Sequence, residues 1–125
     1  MRPMSDMAYL QQFRDGNVTV LELSSKCRLL EEVLLDAVGQ ELMQAAQAAV
    51  PPMVVIDLSR TEFFGSGFIE VLFRVWNRIQ QKEGGQLALC ALQPYCREVL
   101  EITHLDKLWP LYETRADAVA ALNKS

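Results

Sequence analysis

The run Met53-Val54-Val55-Ile56 lies directly after Pro51-Pro52 and directly before Asp57-Leu58-Ser59, and it constrains the fold more than any other segment. It is continuously apolar and largely β-branched, without the alternation of a half-exposed strand, so it must be covered on both faces. That is the pattern of a central strand in a sheet carrying helices. The prolines set where it begins. Neither donates a backbone hydrogen bond, and Pro51 drives Val50 out of the helical region, so whatever helix precedes them stops there.

The segments on either side follow from periodicity. Tyr9 to Phe13, Asp15-Gly16-Asn17 and Val18 to Leu23 read as strand, tight turn and strand, with Asp-Gly the hairpin signal. Cys27 to Leu30 fits either the first turn of the following helix or a short strand ending just before it, and the strand is the favoured reading. From Glu31 to Ala49 the spacing becomes helical, with Leu34, Val38, Leu42, Ala45 and Ala49 on one stripe. Beyond the loop Arg60 to Gly65, a second helix is expected from Gly67 to about Lys82, with Phe68, Leu72, Val75 and Ile79 inward and Glu70, Arg74 and Asn77 outward. Gly84-Gly85 ends it, and Gln86 to Leu92 reads as another buried strand. Pro94 opens a third helix to about His104, Leu108 to Tyr112 reads as a short extended segment, and Thr114 caps a final helix. Alternation of this kind predicts an α/β domain, a mixed sheet of four to five strands with about four helices.

At 125 residues the chain is long enough for one core and too short for two, so residues 1–125 form a single domain with its core at about 9–122. Twelve Lys and Arg stand against 16 Asp and Glu, a net charge of -4, and no basic run occurs. Nucleic acid is therefore not an expected partner. Cys27, Cys90 and Cys96 are odd in number and lack a C-x-x-C spacing, which points to reduced thiols in the cytoplasm. Met1 to Ala8 lacks the apolar centre of a signal peptide, and no stretch of 18 apolar residues occurs, so neither secretion nor membrane insertion is expected. One histidine and three scattered cysteines give no metal spacing, and no cofactor motif is present. His104 reads as a polar residue near a helix end, Trp76 and Trp109 as packing residues, and Glu31-Glu32 as a solvated helix start. Catalysis is not expected.

The informative loop is Ile56-Asp57-Leu58-Ser59-Arg60-Thr61-Glu62-Phe63-Phe64-Gly65-Ser66-Gly67-Phe68-Ile69. Functional groups in α/β sheets collect beyond the carboxyl ends of strands. Ser66 is expected at the N-cap of the following helix, where flanking glycines leave its hydroxyl open and a phosphate would meet free N–H groups. Capping alone also explains a serine here. Gly65-Ser66-Gly67 is neither a P-loop nor a nucleophile elbow.

The run from Val54 to Leu72, together with Arg97 to Tyr112, resembles the STAS domain of anti-sigma factor antagonists, and the order of helices and strands matches from about Tyr9 to Leu122. In that family the loop reads Asp-Ser-Ser/Thr-Gly-Leu, and the second hydroxyl residue is phosphorylated by a kinase-type anti-sigma factor. The resemblance places Ser66 at that hydroxyl, Gly67 at the glycine, Phe68 at the leucine and Asp57 at the strand-end aspartate. It implies partner switching: the unphosphorylated domain binds an anti-sigma factor with serine kinase activity, and phosphorylation releases it. Asp57, Phe63, Phe64, Gly65, Gly67, Glu70 and Arg74 are then the expected partner contacts, with Phe63 or Phe64 either an apolar anchor or a core residue. Phe64 stands where the family has an aspartate, Gly65 replaces the first hydroxyl residue, and Leu30 replaces a second acidic residue. These departures favour an alternative that the resemblance also implies, an unphosphorylated scaffold in a stress-sensing assembly or a cytoplasmic subunit of a lipid or anion transporter. A homodimer is compatible with either.

Overall fold

The computed structural model describes residues 5, 6 and 8–124, so most of the leader reading on Met1 to Ala8, and Ser125, lie outside the described residues. Strands β1 (Ser5–Asp6), β2 (Leu10–Asp15), β3 (Val18–Leu23), β4 (Leu29–Leu30), β5 (Met53–Asp57), β6 (Phe63–Phe64), β7 (Gln86–Cys90) and β8 (Leu111–Tyr112) are interleaved with four helices. These are α1 (Glu32–Ala48), α2 (Ser66–Gln80), α3 (Pro94–Ile102) and α4 (Arg115–Asn123). The main sheet runs β1-β2-β3-β5-β7-β8: the expected five strands are there, and the two-residue β1 extends them at the hairpin edge. β1, β2 and β3 pair antiparallel, and β3, β5, β7 and β8 pair parallel.

All five residues of β5 are buried, as a strand covered on both faces requires. Val54 and Ile56 face one core layer with Val38, Leu42, Phe68, Leu72 and Leu100 of α1, α2 and α3. Val55 and Met53 face the other, which α4 covers with Ala118, Val119 and Leu122. The turn between β2 and β3 uses Gly16 at φ 63, the left-handed conformation for which glycine carries no steric cost. Among the described residues no helix is long and apolar enough to cross a membrane.

Several boundaries differ from the sequence reading. Cys27 to Leu30 splits into a 3-10 turn at Ser25–Cys27 and the two-residue β4, which pairs with β6 rather than with the main sheet. Leu108 to Tyr112 is not extended throughout: a 3-10 turn at Leu105–Lys107 leads into Trp109, and only Leu111–Tyr112 is strand. Burial explains this, because the Trp109 ring turns fully inward against Phe73, centroids 5.0 Å apart, and the Trp109 backbone N–H donates to the Leu105 carbonyl. α3 ends at Ile102, and His104 follows in the left-handed region at φ 62.

Candidate functional site

The loop between β5 and α2 is tied down along its length. Asp57 is buried, and its Oδ1 accepts the Ser59 N–H at 2.9 Å while Oδ2 accepts from Arg115 Nε at 3.0 Å. Arg115, at the start of α4, also donates to Glu22 of β3, whose other oxygen lies 3.3 Å from Arg60. Burial works against the charged guanidinium, but bonds to Glu22 and Asp57 outweigh it and hold Arg115 above its ordinary value. Further along, Thr61 is buried and its hydroxyl donates to the Cys27 carbonyl at 3.0 Å. The N–H groups of Glu62 and Phe63 both donate to the Arg28 carbonyl. This fastening brings β6 alongside β4, with Phe63 opposite Leu29 and Phe64 opposite Leu30.

Ser66 is not the N-cap of α2. Gly65 occupies that position, extended at φ -114 and ψ -165, and its carbonyl accepts from the N–H groups of Phe68 and Ile69. The chain is still extended at Gly65, and helical geometry begins at Ser66, one residue earlier than the sequence reading places it. Ser66 is the first helical residue. It is exposed, and its hydroxyl has no hydrogen bond to any described residue. A Cβ on Gly67 would stand 2.5 Å from Leu35 Cδ1, so this glycine is what lets the first turn of α2 lie against α1.

Ser66 opens into a cleft of about 450 Å³ between the starts of α1 and α2, lined also by Phe63, Glu31, Glu32, Leu35 and Glu70. An adjoining groove of about 670 Å³ runs on between the two helices past Asp36, Met43 and Arg74. Arg74 is bound to Glu70 at 2.6 Å. Of the residues expected at a partner surface, Phe63, Gly65, Ser66, Gly67 and Glu70 thus share one cleft, and Arg74 borders it. Phe64 and Asp57 do not. Phe64 is 0% exposed and packs on Phe68, centroids 5.3 Å apart, whereas the Asp57 carboxylate lies on the α4 side of the sheet. Phe63 is 39% exposed. The structure separates the two phenylalanines into one core residue and one surface residue.

Glu31 and Glu32, read from the sequence as a solvated helix start, are exposed at the start of α1 and line this cleft as well. Their signal was topological: parallel β-α units place successive helix starts side by side at one sheet edge, so the residues opening α1 had to flank those opening α2. Glu31 and Glu32 therefore bring carboxylates to this cleft from the start of α1. His104 is exposed and lies outside the cleft, and among the described residues no group of three or more His, Cys, Asp or Glu is placed to hold a metal. Ser66 thus presents an exposed, unbonded hydroxyl in a cleft that Glu31, Glu32 and Glu70 also line.

Comparison with known proteins agrees with this fold. The family model described as the STAS domain matches residues 15–118. The solved structure of an anti-sigma-factor antagonist (STAS) domain protein from Planctomyces limnophilus superposes with a TM-score of 0.85 at 39% identity, covering 91% of this chain and 97% of that one. The anti-sigma F factor antagonist of Paenibacillus polymyxa is 27% identical over 105 residues, 84% of this chain and 86% of its own. The Bordetella bronchiseptica protein BtrV, provisionally named an anti-sigma factor antagonist, is 37% identical over 68 residues, and this chain spans 58% of its length.

Proposed function

The chain belongs to the STAS domain family, and on that footing we propose that it is an anti-sigma factor antagonist that works by partner switching. Unphosphorylated, it binds an anti-sigma factor with serine kinase activity in the cytoplasm. Phosphorylation of Ser66 releases it. The protein acts by binding, and the chemistry belongs to the kinase.

The observation that carries this reading is the exposed, unbonded Ser66 hydroxyl at the first position of α2, inside a cleft whose neighbouring cation, Arg74, is already held by Glu70. A phosphate there adds about -1.5 to -2 charges. In the free protein, water and the helix start accommodate it. In a complex it must be desolvated beside Phe63, with Glu31, Glu32 and Glu70 around it, and it fills the cleft a partner side chain would enter. A loss of about 2.7 kcal/mol weakens binding roughly a hundredfold. Phe63, Gly65, Gly67, Glu70 and Arg74 make up the contact surface, while Phe64 and Asp57 serve it from within by fixing the loop.

A second reading keeps the domain unphosphorylated, as a scaffold or a transporter subunit, and the apolar Leu30 and Phe64 at family acidic positions favour it. Intact mass and phosphopeptide mapping of protein recovered from its own cells, with and without stress and beside Ser66→Ala, decide between the two. Stress-dependent phosphate on Ser66 is the expected result. Protein that stays unmodified throughout while co-purifying with a partner refutes the switch.

A further inference from the structure

We propose that the Ser66 cleft and an aromatic ledge beside it form one docking surface for a protein that presents an apolar pocket flanked by basic side chains. The inference rests on the antagonist reading and adds the chemistry its partner must offer.

The apolar half is built by the β4-β6 ribbon and α3. Leu29 and Phe63 are register partners and are 36% and 39% exposed, while the next pair, Leu30 and Phe64, is buried beneath them. Tyr95, on the first turn of α3, is 51% exposed and stacks on Phe63, with centroids 5.5 Å apart and planes 25° apart. Two exposed aromatic rings held against each other on a ribbon anchored by Phe64 and Thr61 are ordered before any partner arrives. Such preordered aromatic anchors lose little freedom on binding.

The acidic half adjoins it. Glu31 and Glu32 line the cleft with Phe63 and Ser66, and Asp36 follows one turn along α1. All three are exposed and have no ion-pair partner among the described residues. The nearby cations are already engaged, Arg28 with Glu62 at 3.3 Å and Arg74 with Glu70. The surface therefore carries unneutralised negative charge around an apolar centre. A second copy of the chain would bring the same charge, and an anionic lipid surface would be repelled, so charge complementarity selects a basic protein face.

Site-specific photo-crosslinking tests this. Tyr95 is replaced by p-benzoylphenylalanine in the full chain, expressed in its own cells and irradiated, and the crosslinked segment of the adduct is sequenced. The same is done with Glu31→Gln/Glu32→Gln and with Glu31→Lys/Glu32→Lys, each checked for an unchanged melting profile. If lysines at the start of α1 disturb the helix, the glutamine pair decides. We expect an adduct to a second protein, joined through an apolar segment flanked by Lys or Arg, with the charge-reversed complex about tenfold weaker at low ionic strength and the difference shrinking as salt is added. Absence of an adduct, an adduct to another copy of the chain, or a yield unchanged in both charge variants overturns the proposal. The identity of the adduct speaks separately to the function. A basic partner that is not an anti-sigma factor keeps the surface and removes the antagonist reading, whereas an anti-sigma factor captured equally by every charge variant does the reverse.

Discussion

Phe63 and Phe64 are adjacent and chemically identical, and the structure gives them opposite expected responses to truncation. Phe64 has no exposed surface and contacts Phe68 in the layer between the sheet and α2. Phe64→Ala therefore removes a fully buried ring and leaves a cavity, at a cost of about 3–5 kcal/mol. For a chain of 125 residues, with an unfolding entropy of about 2.1 cal/mol/K per residue, each kcal/mol moves the melting temperature by about 4 °C. The variant is expected to melt roughly 12–20 °C lower. Phe63→Ala loses chiefly its stack on Tyr95, about 1 kcal/mol, and is expected to melt within roughly 5 °C of the parent. Affinity for the partner should rank the pair the other way: Phe63→Ala weakens binding tenfold or more, about 1.4 kcal/mol, and Phe64→Leu, which keeps the core filled, retains it. Thermal and urea unfolding measure the first contrast and calorimetric titration the second. Equal destabilisation by the two alanines, or a Phe64→Ala variant that melts with the parent, would refute the assignment of one ring to the core and the other to the surface.

Arg115→Met keeps the apolar stem but leaves Asp57 and Glu22 without their cation. Breaking a buried pair costs about 3–5 kcal/mol, and with Arg115 partly open to solvent we expect about 2–3, read as a lower urea midpoint; an unchanged midpoint contradicts the anchoring role. Thr114 accepts the Asp117 N–H as the cap of α4, so Thr114→Ala should cost about 1 kcal/mol and Thr114→Ser almost nothing, compared by thermal melts. Burial pushes the thiols of Cys27, Cys90 and Cys96 up to about 11, 12 and 11 from an ordinary value of 9. Native protein at pH 8 should therefore resist iodoacetamide at all three, and rapid alkylation of any of them would contradict that burial. Because these raised values keep protons on the folded form that the unfolded chain has lost, stability contributed by the thiols is intact below about pH 9 and falls as pH rises towards 11–12, measurable as urea midpoints across that range.

Much of the architecture was legible because its signals were local. The apolar β5, the Asp-Gly turn, Pro94 at the start of α3 and Thr114 at the cap of α4 each act through their own neighbours, and each stands where periodicity placed it. Legibility failed where a distant partner decided. Nothing near Leu29-Leu30 shows that they pair with Phe63-Phe64 across 34 residues, and it is on that ribbon that the two phenylalanines part, one buried and one exposed. Asp57 was legible as a bond to its own loop, but its second partner, Arg115, lies 58 residues away. Glu31 and Glu32 are the solvated helix start that the sequence suggests, but that they stand beside Ser66 in one cleft is a product of the fold.

The unequal covering of the sheet has a consequence for biosynthesis. Among the described residues one face is closed by α4 alone, and the apolar residues beneath it, Phe13, Val18, Val20, Met53, Val55, Ala88 and Cys90, all precede that helix in the chain. On the ribosome they are made, and leave the exit tunnel, ahead of their cover. At about 5–20 residues per second, the interval between synthesis of Cys90 and of Leu122 is roughly 2–6 s. For that time the nascent chain carries an open apolar face, which makes the interval before α4 emerges the moment at which a chaperone has most to hold.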